Sequence, residues 1–201
     1  MSVSPDHDVA PTAAARSRAA TRERLRRAGL ELFAEQGLHG VTSHRIAQRA
    51  GVAAGTFYLH FKDKRELCRE LAREATAQLS ERLRAATAGI DDEAARIRAH
   101  AAALVDFAHE RRELIALLFG GDAEAASVGA DVLDTLAGHI VRVRTERGRI
   151  PAGSDVAVLS QAVVGMYARV VAWWAEDPRR ATREQLIETL TRIQLSGTRS
   201  G

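Results

Sequence analysis

Apolar residues along this chain recur at the helical period, and nowhere do they alternate as they would in a half-buried strand. Leu25, Ala28, Gly29, Leu32 and Phe33 share one face of a first helix over residues 22–36, which Gly37 ends. Ile46, Ala47 and Ala50 put a narrow apolar stripe on a short second helix that Thr42 can cap through its side-chain oxygen. Gly51 stops that helix, and Val52 is apolar enough to plug the angle that follows. Over residues 53–61 a third helix turns Phe57 and Phe61 inward at i, i+4 and leaves Ala54, Gly55, Thr56, Tyr58 and His60 on other faces. Asp63 and Glu66 form a capping box for a fourth helix that runs to about residue 87, long enough to link two domains.

Five further helices follow at residues 91–109, 111–119, 130–147, 155–176 and 183–195, punctuated by Gly120, Gly121, Gly148, Pro151, Gly153 and Pro178. The chain therefore reads as all-α, with about nine helices. Residues 156–174 are apolar nearly all round, more than one face of a small bundle needs, and Leu186, Ile187, Leu190 and Ile193 stripe the last helix. Such a pair fits either a buried central helix in a monomer or a four-helix interface about a two-fold axis. For the interface the candidates are Val163, Tyr167, Val170, Trp174, Leu186, Leu190 and Ile193.

Composition narrows the picture. With 201 residues and 46% hydrophobic content the chain can bury a sizeable core, in one domain or in a small module plus a larger one. The single cysteine, Cys68, excludes an intramolecular disulfide and fits a reducing compartment. The start lacks the pattern of a secretory signal, and no 18-residue stretch reads as apolar enough to span a bilayer, so a cytoplasmic location is expected. Residues 1–20 carry Pro5 and Pro11 among Ser, Ala and Asp, with no apolar period before Leu25, and are expected to be a disordered arm whose Arg16 and Arg18 reach DNA. Residues 1–67 hold eleven Arg or Lys against seven acids, a net of +4, while the remainder holds 18 against 19. The positive excess thus sits at one end, as it would for cations that replace counterions on phosphates.

The second and third helices have helix-turn-helix spacing, in which the second helix of the pair lies in the major groove and the first crosses the backbone. From spacing alone, an ordinary helical pair with Tyr58 and His60 as packing residues competes with that reading. The residues also match the pattern T-x-x-x-I-A, A-G-V, G-T-x-Y-x-H-F and K-x-x-L through Thr42, Ile46, Ala47, Ala50, Gly51, Val52, Gly55, Thr56, Tyr58, His60, Phe61, Lys64 and Leu67. In this the chain resembles the DNA-binding domain of the tetracycline-repressor (TetR) family of bacterial transcriptional regulators, over residues 22–71; beyond them the likeness is architectural. Ala53 departs from the Ser frequent in the family, which removes a cap worth about 1 kcal/mol and one phosphate-contacting hydroxyl.

The resemblance implies a homodimeric repressor that binds a palindromic operator on double-stranded DNA and is released by a small-molecule effector. It divides the chain into an arm (1–20), a DNA-binding domain (21–67) and an effector-binding and dimerisation domain (68–201). At matched positions, Thr42, Ser43 and Lys64 meet phosphate, Arg45 reaches a base or a phosphate, Ala54, Gly55 and Thr56 meet base edges or thymine methyls, and Tyr58 and His60 grip the backbone. His60 equally suits a packed core position. An effector would lie among Leu104, Phe107, Leu117, Phe119, Leu136, Ile140, Met166, Tyr167 and Trp173, although apolar residues at helical spacing are most often plain core. No cofactor, metal site or catalytic residue is expected: His100, Asp106 and His109 have poor ligand spacing on one helix, and no nucleophile–base set or phosphate-cradling loop is evident. The competing function is an all-helical carrier or enzyme that uses only the carboxy-terminal cavity.

Overall fold

The computed structural model describes residues 12–146 and 155–198, and among them every regular element is helical. The order is α1 (Ala13–Gln36), α2 (Ser43–Arg49), α3 (Ala54–Tyr58), α4 (Lys64–Thr87), α5 (Glu93–Glu110), α6 (Arg112–Phe119), α7 (Ala126–Glu146), α8 (Val156–Glu176), a short 3-10 turn at Pro178–Arg180, and α9 (Arg183–Thr198).

Helix α1 corrects one expectation. It begins at Ala13, not near residue 22, because the Thr12 hydroxyl accepts from the Ala15 amide and the intervening Ala and Arg residues are good helix formers. Residues 13–20 are exposed, so no apolar periodicity marks them, and their propensity and cap favour the helix. The rest of the expected arm, residues 1–11, lies outside the described residues.

Two clusters of buried side chains form the core. The first joins α1–α4 to α6 and the start of α7, through Leu25, Phe33, Ile46, Phe57, Leu67, Leu117 and Val128 among others. The second ties α5 to α8 and α9 through Ala101, Val105, Tyr167, Trp174, Ile187 and Leu190. The amino-terminal head is therefore not a bead on a linker, since its core continues into α6. At 24 residues α4 spans both regions, packing on α1 at one end and on α5 and α7 further along.

Helix α8 is long and apolar enough to cross a membrane, against the expectation from the sequence that no stretch is. It packs on α5, α6 and α7, and that neighbourhood explains why its composition exceeds one apolar face. Cys68 is fully buried on α4, and burial pushes its thiol up to about 11.

Candidate nucleic-acid interface

The head is assembled by caps and a tight turn. The Thr42 side chain accepts from the Arg45 amide and starts α2, with Ile46 and Ala47 fully buried below. Gly51 then adopts φ +65°, a left-handed conformation an L side chain would resist, and the Val52 amide returns to the Ala47 carbonyl at 3.0 Å. Ala53 occupies the N-cap position of α3 without a side-chain bond, as its chemistry requires.

Helix α3 has two unlike sides. Phe57 and, just beyond the helix, Phe61 are buried, with ring centroids 5.7 Å apart. Tyr58 is 62% exposed and Leu59 71% exposed. Gly55 is exposed, and a Cβ built on it would meet nothing within 4 Å. Glycine inside a helix costs roughly 1 kcal/mol relative to alanine. Nothing in the chain's own packing requires it at this position.

Other expected contacts fall on or beside this face. Thr42 and Arg45 are exposed, and Ser43, Ala54 and Thr56 are half-buried. Arg45 donates to the Gln36 side-chain oxygen. His60 is half-buried with its Nδ1 unpartnered among the described residues, and desolvation, then Arg18 and Arg22, push its imidazole down from the ordinary value. It lies at the edge of the face. Leu59 was not singled out from the sequence; its position directly after Tyr58, outside the Phe57–Phe61 pair, is the signal that could have found it.

Lys64 departs most from expectation. Its ammonium donates to the Leu38 carbonyl at 2.8 Å, the His39 carbonyl at 3.3 Å and Glu124 Oε2 at 3.1 Å, which uses all three protons inside the protein. Arg65 meets the other Glu124 oxygen at 2.7 Å, and these hydrogen bonds, that from Arg65 foremost, hold the Glu124 carboxyl below its usual range. Several other cations of the head are likewise occupied. Arg22 pairs with Glu70 and bonds the His60 carbonyl at 2.9 Å, Arg24 bonds the Gly51 carbonyl at 3.1 Å, Arg26 pairs with Glu74, and Arg49 pairs with Glu31 and Glu35. Arg18 reaches the Leu59 carbonyl at 3.5 Å. Much of the amino-terminal positive excess thus stitches α1 to the end of α3 and to α4.

The carboxy-terminal helices enclose an apolar cavity. Leu104, Phe107, Phe119, Leu136, Ile140 and Tyr167 line it. Three expected lining residues do not: Leu117 is buried in the first core cluster, Met166 packs against the second, and Trp173 is turned outward with the Arg180 guanidinium 5.5 Å from its ring centre. The expected dimer residues are also mostly internal. Val163 and Tyr167 line the cavity, Val170 packs on the second cluster, and Trp174, Leu186 and Leu190 are buried in it, with the Trp174 indole donating to the Pro178 and Ala181 carbonyls. Of that set Ile193 alone is exposed. The uncovered face of α8 is Val158, Ala162, Gly165, Arg169 and Trp173, which periodicity could not separate from the buried one in a helix apolar all round.

Among the described residues no three His, Cys, Asp or Glu side chains gather where they could hold a metal ion. Asp106 is paired with Arg183, His109 lies against Trp174, and His100 faces the cavity.

Residues 25–71 match the family described as "Bacterial regulatory proteins, tetR family". An HTH-type transcriptional regulator of Staphylococcus aureus strain USA300 is 43% identical over 47 residues, which is 23% of this chain and 25% of that protein. Residues 25–71 therefore form a TetR-type DNA-binding region. The match spans about a quarter of the length of the curated relatives, the part that holds α2 and α3. Over nearly the whole chain the fold is shared with solved regulators. A TetR-family regulator from Syntrophomonas wolfei aligns with TM-score 0.76 at 17% identity, covering 90% of this chain and 95% of its own. FadR, the fatty acid degradation regulator of Bacillus halodurans, aligns with TM-score 0.73 at 20% identity, covering 90% and 97%. FadR from Bacillus subtilis, solved in complex with stearoyl-CoA, aligns with TM-score 0.70 at 23% identity, covering 88% and 99%.

Proposed function

We propose that this chain is a DNA-binding transcriptional regulator that acts as a homodimer, represses by occupying a two-fold symmetric operator, and releases it when a small molecule fills the carboxy-terminal cavity. The two-sidedness of α3 carries the DNA-binding part: Phe57 and Phe61 anchor the helix, while Gly55, Tyr58 and Leu59 face outward over open space. In this reading Ala54, Gly55 and Thr56 meet base edges, Tyr58 and Arg45 the adjoining backbone, and Thr42 and Ser43 a phosphate at the start of α2. Lys64 has a supporting role, fixing the turn between α1 and α2 from behind.

A second copy of the chain covers the exposed face of α8, with Val158, Gly165 and Trp173 facing their symmetry mates and Ile193 of α9 beside them. Two reading helices held about 34–36 Å apart then meet successive major grooves of a palindrome. The domains divide near residue 67, with the helical extension of residues 13–20 belonging to the head, and the protein works in the cytoplasm, where chromosomal DNA is. Support for the cavity's role comes from its apolar lining and from the stearoyl-CoA complex of the Bacillus subtilis protein that shares the fold.

Selection of bound duplexes from a random library tests the reading. An enriched sequence with two-fold symmetry and half-sites one helical turn apart is expected. Retention that is salt-sensitive but enriches no sequence would overturn the regulator.

A further inference from the structure

The cavity has a volume of about 880 Å³, part of it open to solvent. Its wall comes from α4, α5, α6, α7 and α8 and carries no lysine, arginine, aspartate or glutamate.

The polar groups on the wall are Thr76, Ser80, His100, His139 and Tyr167, and two of them are already engaged. Thr76 donates to the Ala72 carbonyl at 2.8 Å, and the Tyr167 hydroxyl donates to Gln194 at 2.8 Å. His139 is exposed and shares its Nδ1 with Arg142 at 3.0 Å. His100 is different. Its ring lies edge-on to Tyr167 with centroids 5.8 Å apart, and it makes no hydrogen bond among the described residues. Burial, reinforced by His139, pushes its imidazole down to about 4, so that it is neutral near pH 7. A neutral imidazole has one nitrogen that donates and one that accepts, and an unfilled pairing in an apolar site is costly.

We propose that the effector is an uncharged molecule with a hydrocarbon body and one hydrogen-bonding oxygen, hydroxyl or carbonyl, seated against the His100 imidazole. A carboxylate or an ammonium head would enter without a counter-ion on the wall and lose its hydration unreplaced. The oxygen of an alcohol or an ester satisfies His100 and leaves the hydrocarbon against Leu104, Leu136 and Ile140. The inference rests on the reading of this cavity as the effector site.

The test titrates the full-length protein with 1-decanol, methyl decanoate, decanoate and decyltrimethylammonium below their aggregation limits, following heat of binding and thermal midpoint. Saturable binding is expected for the two neutral probes, with the ions weaker by roughly tenfold or more, the worth of an uncompensated buried charge or hydrogen bond. His100→Leu should weaken 1-decanol by about tenfold, and His100→Gln, which keeps a hydrogen-bonding group, should retain most of the affinity; circular dichroism confirms that both variants are folded. Equal or tighter binding of decanoate, unaltered 1-decanol affinity in His100→Leu, or no saturable binding of either neutral probe overturns the proposal. Leu136→Trp, which adds bulk inside the cavity, separates the two levels. If it abolishes binding of whichever probe does bind, the cavity remains the effector site even where the neutral class is wrong; if every isotherm is unchanged, the cavity reading falls and this proposal with it.

Discussion

Lys64 occupies a position of the family pattern while its ammonium is bonded within the protein. A lysine at the start of α4, close to the reading helix, invites a phosphate contact, yet its three protons are committed to Leu38, His39 and Glu124. The partner that decides this is 60 residues away in sequence, so no local pattern could reveal it. Thr42 was legible because a cap needs only the next three residues, and Phe57 and Phe61 because i, i+4 spacing is local. Lys64→Met is expected to lower stability by about 1–3 kcal/mol, the cost of buried charge-assisted hydrogen bonds, as read from urea unfolding. The salt dependence of DNA binding should not change slope by the full unit that a lost phosphate contact would give. His100 gives a pH signature. Its folded-state value of about 4 lies below the ordinary 6.5, so between those limits the unfolded chain binds the extra proton and stability falls as pH drops. Unfolding followed from pH 7 to 4 should lose up to roughly 3 kcal/mol from this group, and His100→Leu should flatten that part of the curve.

Between elements, the corner from Gly121 to Ala125 is what couples the head to the rest. Asp122 accepts from the Leu38 amide at 2.8 Å through one oxygen and from the Glu124 and Ala125 amides through the other, so one carboxylate organises the start of α7 and the turn after α1. Gly37, at φ +70°, leaves room for it: a Cβ there would lie 2.6 Å from Asp122 Oδ2. The sequence announced helices α2 to α6 and α8 close to their observed limits, since each is bounded by a cap, a glycine or a proline. It did not announce that α6 completes the core of the head, because a helix's apolar stripe does not name its partner. Asp122→Ala is expected to cost roughly 2 kcal/mol, a cap plus an orphaned amide, and to split the unfolding transition. Both tryptophans lie on α8, so fluorescence reports the carboxy-terminal cluster, while helical circular dichroism reports every element. The two curves should coincide in the wild type and separate in the variant, dichroism falling first. Coincident curves in Asp122→Ala would mean that the corner carries no coupling.

For the whole molecule, the proposed dimer needs two heads held at a fixed spacing, and the uncovered face of α8 is the surface proposed for it. Periodicity marks α8 as apolar nearly all round, but in such a helix it does not show which side stays uncovered. Introducing Glu at both Val158 and Ile193 should leave helicity intact and yield a monomer in sedimentation equilibrium. Operator affinity should fall by roughly a hundredfold or more, because each half-site is then bound without its tethered neighbour. The account depends above all on α3 meeting DNA at close range across Gly55, and Gly55→Leu tests that alone. The added side chain enters open space in the free protein and replaces a poor helix former, so the thermal midpoint should hold or rise slightly. Mobility-shift titration on the selected operator should then show affinity reduced at least tenfold. A Gly55→Leu protein that is folded and binds that operator as tightly as wild type would contradict the account.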